Sequence, residues 1–515
     1  MTKGISVTSR ANRRQFLQKS LTASAGLLAT GTVGSLARAA TVAAAAKPAA
    51  NPFGTSNKKL IPTADSIIFI WLPGGIAQAD TWDPKKHTPF EAGMKGSELL
   101  GTCPSIPTSV DGLRFGEGLE NIASVMHHGT LLRSLSSETK FGAVHLKAQY
   151  CMLTGHLFPV GLKAPSIGAA VGRTLGPRAE NVPPYIYIGR DIDTSDPEKQ
   201  FLSEAISAGF YGVEHAPFMI PDPTAGLSTL SAVAEIGTER LDRQLQYLKT
   251  LEGLSTPALR KAPQAESYMK MINSARAIMD SPVKRAFDYA KEEKPEVVAA
   301  YTPHLTAGDL LDKSYFFGKR FGHGLLLARR MVEAGARFVQ VEYQYGPFRG
   351  FDMHEDGQPR MVEMKKQIDA PIAQLIRDLD ERGMLERTLV VVATEFGRTI
   401  ANQPKAGVEP IGFAESQSGE KLLIEDKKMY GFHGHFSSAN CMLFFGGGFK
   451  PGLVYGRTAD RHPMVAVENP VALTDVHATI YRALGIPADT HYVTEGRPFY
   501  VTKDGKGRAI DALLA

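Results

Sequence analysis

Cysteine is scarce. Cys103, Cys151 and Cys441 are too few for a disulfide framework, and they lack the short paired spacing of a zinc-binding cysteine motif. Long apolar runs are missing as well: the N-terminal one, ending at Leu36, is short and broken by Gly, Ser and Thr, which argues against a stable membrane anchor. Charge of one sign is also lacking over most of the chain. Of 58 Lys and Arg, six (Lys3, Arg10, Arg13, Arg14, Lys19 and Arg38) fall in the first 39 residues, with no acid among them. The remaining 52 face 53 Asp and Glu, a net charge near −1, so nucleic-acid binding loses its electrostatic argument. What is present, 43% hydrophobic and 22% charged residues in 515, is an ordinary globular composition able to bury a large core.

The basic leader reads as an export signal. Arg13-Arg14 is followed by Phe16-Leu17, then a weakly apolar Ala/Gly/Leu run, and "ARA" at Ala37 to Ala39 offers a small-residue cleavage site. This resembles a twin-arginine signal peptide over residues 1–39, which implies the twin-arginine translocation machinery as a partner and a periplasmic or extracellular destination. An Ala-rich, low-complexity linker is expected over 40–60, ahead of one α/β domain over 61–515.

Within that domain, strand-like runs alternate with helical patterns. "SIIFIWL" (Ser66 to Leu72), "YIYI" (Tyr185 to Ile188), "RFVQVE" (Arg337 to Glu342), "TLVVVA" (Thr388 to Ala393) and "CMLFF" (Cys441 to Phe445) read as buried strands. Ile368, Ile372, Leu375, Ile376 and Leu379 fall on one face at helical spacing. Such alternation predicts a largely parallel central sheet with helices on both faces. The stretch from about 228 to 303 is polar, helical in pattern and without strand signals, and is expected to be a helical insertion.

In open α/β sheets, ligands bind beyond the carboxyl ends of the strands. Asp80 and Asp83 follow the first strand, Asp352 and His354 follow the Arg337 strand, and Glu395 follows the Thr388 strand. His433 and His435 come shortly before the Cys441 strand. Mixed oxygen and nitrogen donors of this kind suit a divalent ion such as Zn²⁺, Mn²⁺ or Ca²⁺. Arg398, three residues after Glu395, has two readings: it holds an anionic ester, or it pairs with Glu395 or a neighbouring carboxylate.

The order of "GGIAQADTWDPK", "HLKAQYCMLTG", "FDMH", "TEFGRT", "HFSSANCMLFFGGGFKPGLVYG" and "LTDVHATIYRALGI" resembles the alkaline phosphatase and sulfatase superfamily. More closely, it resembles a bacterial, twin-arginine-exported family of unknown function related to those enzymes. The resemblance implies an alkaline-phosphatase-like α/β fold and a metal set drawn from Asp80, Asp83, Asp352, His354, Glu395 and His435, with a small-molecule or sugar-linked anionic ester as substrate. It also implies departures. Counting back nine residues from Thr154-Gly155, where sulfatases keep their nucleophile, reaches His145, and Gln149 stands for the supporting arginine. Where phosphatases carry Asp-His, this chain has Glu395-Phe396. With no hydroxyl or thiol in the nucleophile's place, His145 is left as base, ligand or nucleophile. The expected activity is metal-dependent hydrolysis of a sulfate or phosphate ester; the alternatives are a degenerate member acting in binding or assembly, and a phosphoryl or phosphoethanolamine transferase.

Overall fold

A computed structural model describes residues 60–136, 144–157, 161–189, 195–230, 281–313, 315–400, 423–431 and 433–515, with scattered helical residues between 239 and 278. The leader, nearly all of the Ala-rich linker and much of the 228–303 stretch lie outside the described residues. The described parts of that stretch hold only short helices, such as Pro295–Ala300. Among the described residues, no helix is long and apolar enough to cross a membrane.

Eight strands form the main path of the central sheet: β1 (Ser66–Trp71), β2 (Gly129–Ser136), β3 (Tyr185–Ile188), β4 (Phe218–Ile220), β5 (Phe338–Glu342), β6 (Thr388–Ala393), β7 (Asn440–Phe445) and β8 (Leu453–Tyr455). Their order across the sheet is β8-β2-β7-β6-β1-β5-β3-β4, with the short Val471–Ala472 strand also paired to β2. Every pairing is parallel except the two made by β7. All five expected strands are present, and the sheet is largely parallel as expected. Strands β2, β4 and β8 had not been anticipated. In β2, "GTLLRSLS", leucines and the central Arg133 interrupt the β-branched pattern that marks its neighbours.

The sheet is covered on both sides, which is why its strands read as continuous apolar runs. In β1, Ile68 and Ile70 join one core, and Ile67, Phe69 and Trp71 join the other. Helices Gly318–Glu333 and Gly357–Glu381 cover the first face, and Ile368, Ile372, Leu375, Ile376 and Leu379 are fully buried there. Helices His145–Thr154, Ile167–Leu175 and Leu473–Ala483 contribute to the second core. The three cysteines are free thiols.

The reversed strand matters for function. Because β7 runs against its neighbours, its N-terminal end lies at the edge where the others end. Residues that precede β7 therefore arrive beside residues that follow β1, β5 and β6.

Candidate functional site

Three strand exits meet at Gly74. Its N–H donates to both Glu395 oxygens, at 2.8 and 3.0 Å. Gly74 has φ +120°, and a Cβ there would stand 2.4 Å from the Asp352 nitrogen, so only glycine lets the exits of β1 and β5 approach so closely. Thr394 Oγ1 also donates to Glu395 Oε2, at 3.1 Å.

His145, the first residue of its helix, bridges two carboxylates. Nδ1 lies 2.8 Å from Glu395 Oε1, and Nε2 lies 3.0 Å from Asp352 Oδ1. One turn later on the same face, Gln149 Nε2 reaches Glu395 Oε1 at 3.4 Å. Asp352 Oδ1 also faces His354 Nε2 at 3.2 Å and His435 Nε2 at 3.7 Å, while Oδ2 accepts from the Phe348 N–H at 2.8 Å. The Asp352 and Glu395 side chains are almost wholly buried, and His145 and His435 are only slightly more accessible. One donor atom each from His145, Asp352 and His435 lie within 4.8 Å of one another.

Electrostatics sets the protonation. Burial works against a charged His145, but the Asp352 and Glu395 carboxylates outweigh it and raise its pKa above the ordinary histidine value. His435 goes the other way: burial, then the Arg398 charge, lowers it to about 3, so it is neutral at pH 7 with a lone pair to offer. His354 is lowered as well, chiefly by burial.

The structure redistributes the other expected site residues. Arg398 is completely buried and its guanidinium is spent. Nε donates to the carbonyls of Gly74 and Gly75, each at 3.2 Å; Nη1 donates to Met353 O at 3.0 Å and His433 O at 2.8 Å; Nη2 reaches Gly74 O and Asp352 Oδ1. All five N–H groups are used, none is left for a substrate anion, and of its two readings the carboxylate pair is the one observed, with Asp352. Glu395, expected as a ligand, meets His145 Nδ1 through Oε1 at 2.8 Å and lies outside the three-donor group. Asp80 accepts from Thr102 N at 2.9 Å and Thr102 Oγ1 at 2.8 Å and faces His433 Nε2 at 3.4 Å, outside the three-donor group. Asp83 is held in a separate ion cluster with Lys85 at 3.3 Å and Arg133 at 3.4 Å, and Thr458 Oγ1 donates to it.

Two contributors were not anticipated, the Gly74 and Phe348 amides that hold the two carboxylates; His477, read as structural from its place on its helix, is buried and engages the Met152 carbonyl through Nε2 at 2.9 Å. The Pro-Gly-Gly turn after β1 was a visible signal for the first; an amide donor leaves no mark in the side-chain pattern. His477 braces the helix that carries His145, and burial lowers its pKa to about 4. Unfolded, it would titrate near 6.5, so between pH 6.5 and 4 the unfolded chain binds the proton first and stability falls on acidification. Acidification to pH 4 is expected to cost about 3 kcal/mol through this group. Denaturant titrations from pH 7 to 4 check it, and the slope should be shallower in His477→Gln.

A largely parallel α/β sheet with a buried carboxylate-imidazole cluster at its carboxyl edge defines an α/β protein with a candidate metal centre. The chain belongs to the family described as "Protein of unknown function (DUF1501)", which matches residues 64–514. It is similar to the phosphonate monoester hydrolase SpPMH from Silicibacter pomeroyi, at 12% identity and TM-score 0.34, over 87% of this chain and 76% of that one. It is also similar to the PsFucS1 sulfatase from Pseudoalteromonas sp., at 14% identity and TM-score 0.34, over 88% and 74%. A third likeness is to a protein in the alkaline phosphatase superfamily from Vibrio parahaemolyticus, at 10% identity and TM-score 0.33, over 87% and 72%. No curated protein matches the chain.

Proposed function

We propose that the chain binds one divalent metal ion through His145, Asp352 and His435 and hydrolyses an anionic ester, a sulfate or a phosphate. The observation that supports this is the convergence of three donor atoms from separate segments, with Glu395 fixed behind His145. A carboxylate on the far nitrogen of a ligating histidine sets its tautomer and raises its basicity. Two imidazoles and one carboxylate suit zinc or manganese; calcium prefers six to eight oxygens. Such an ion supplies Lewis acidity and lowers the pKa of water.

The protein's own groups divide the remaining work. Glu395 directs Nδ1–H of His145 inward, leaving Nε2 toward Asp352. Nε2 is the nitrogen left for an ion, and it would give up its proton as the metal binds. His354, about one-fifth exposed and neutral at pH 7, is placed at the rim to take a proton. With no hydroxyl in the nucleophile's place, water attacks the ester directly. The Arg13-Arg14 leader supports export of the folded, metal-loaded chain to the periplasm or beyond.

A second reading, binding without turnover, is favoured by one observation: the buried Arg398 has no donor left for an anion. Metal analysis of the purified protein, paired with a panel of sulfate and phosphate esters, separates the two. The hydrolase reading expects one ion per chain, turnover that a chelator removes and the metal restores, and metal loss in His435→Ala. Bound metal with no turnover on any ester supports the binding role, and metal-free protein that takes up none sinks the metal centre.

A further inference from the structure

Beside the centre lies a cleft of about 290 Å³, close to the roughly 300–1,000 Å³ range of small-molecule sites. Leu311, Tyr315 and Phe348 line it with Asp312, Arg360 and Glu363.

Phe348 is anomalous in two ways. Its backbone has φ +61°, a conformation that bulky residues avoid, and its side chain is 69% exposed. The backbone has evident work. Its N–H fixes Asp352 Oδ2, and its carbonyl accepts from Arg360 Nη2 at 2.7 Å. Glycine would make both bonds without strain, so neither explains the ring. That ring stands 5.2 Å from the His354 ring, centroid to centroid, at the edge of the centre. Strain held at a site's rim points to a use for the side chain that needs it.

Arg360 is the counterpart of Arg398 with donors to spare. Among the described residues, its Nε and Nη1 hydrogens meet no protein acceptor. Carboxylates are also at hand: Glu363 accepts from the Leu311 N–H at 2.8 Å, and Asp312 lies 3.5 Å from Arg349.

We propose that Phe348 and Arg360 form a saccharide subsite beside the His145–Asp352–His435 centre. The Phe348 ring stacks on the C–H face of a pyranose, and the Arg360 guanidinium binds hydroxyl or ester oxygens. A polyhydroxyl ring requires an apolar platform, donors and acceptors together, and Phe348, Arg360, Asp312 and Glu363 supply all three. A purely apolar ligand would leave the charges unmatched, and a purely anionic one would meet the carboxylates. The proposal rests on the ester reading above and makes a sugar the alcohol part of that ester. Binding energy gathered on such a remote, non-reacting part is what orients an ester at the centre.

The test measures affinities of metal-loaded protein for glucose 6-sulfate and glucose 6-phosphate, with methyl sulfate and methyl phosphate as ring-free probes. The sugar esters are expected to bind about tenfold more tightly than the ring-free ones, a typical contribution of one aromatic contact. Phe348→Gly should remove that advantage while keeping the metal and leaving the melting temperature unchanged or raised, because glycine adopts φ +61° freely. Arg360→Gln should weaken the sugar esters as well. Wild-type protein without preference for the sugar esters, or Phe348→Gly with wild-type affinity or a lowered melting temperature, overturns the subsite; Arg360→Gln with wild-type affinity overturns the guanidinium's part. If no metal is taken up yet sugar binding depends on Phe348, the hydrolase reading falls and the subsite stands. If methyl esters are turned over but sugar esters gain nothing from Phe348, the reverse holds.

Discussion

Arg398→Met is expected to destabilise the fold by about 3–5 kcal/mol, the range measured when one partner of a buried ion pair is removed. The guanidinium is fully buried and joins the turn after β1, the Asp352 segment and the His433 segment through four carbonyls and one carboxylate. Methionine fills similar volume but donates nothing. The carbonyls of Gly74, Gly75, Met353 and His433 would each lose a donor, and Asp352 would lose its cation inside a site that water barely reaches. Leaving buried groups unsatisfied costs about 1–3 kcal/mol apiece before relaxation, so a loss of several kcal/mol survives partial rearrangement. Arg398→Lys should recover little, because one ammonium cannot present five donors in a planar fork. Equilibrium denaturation checks this. A variant that unfolds at the wild-type midpoint and merely binds ester more weakly would return Arg398 to the substrate-holding role that its side-chain bonds argue against.

Much of the fold was legible because its signals are local. Strands β1, β3, β5, β6 and β7 are apolar because the sheet is buried on both faces, and that is visible in any window of six residues. The site was legible only in part, and the reason differs by residue. Glu395 and Asp352 lie just past strand ends, so the strand-exit rule finds them. Asp80 and Asp83 obey the same rule but sit further along a long loop, where Thr102, Lys85 and Arg133 engage them. His435 precedes its strand and should lie at the opposite edge of a parallel sheet. It arrives at the site because β7 runs against the strands beside it, and no feature of "CMLFF" states its direction. Arg398 shows the complementary gap: a guanidinium after a strand is compatible with a ligand or a brace, and only its five partners decide. Phe348 shows another, since a strained φ has no counterpart in residue type.

Asp352→Asn should abolish metal binding, whereas Glu395→Gln should only weaken it, and the contrast separates a ligand from the group that orients one. Asp352 Oδ1 is the atom on which His145, His354, His435 and Arg398 converge. Burial alone would raise its pKa, but the charge and hydrogen bond of His145, with the His354 and His435 imidazoles close by, hold it well below the usual carboxylate range. An amide there supplies no charge and leaves Arg398 without its counterion, so metal should fall below detection and stability should fall with it. A carboxyl whose folded pKa is depressed contributes stability above its unfolded value, near 4, and loses it as pH falls toward the folded value, so wild-type protein should lose stability more steeply below about pH 4 than Asp352→Asn. Glu395→Gln keeps an oxygen for the Gly74 amide and leaves the three donor atoms in place. It removes only the charge behind His145 Nδ1, a change that typically costs about 10–100-fold in metal affinity. Metal titration of both variants decides the matter: total loss in Glu395→Gln would make Glu395 a ligand, and full affinity would mean that His145 needs no carboxylate behind it to bind.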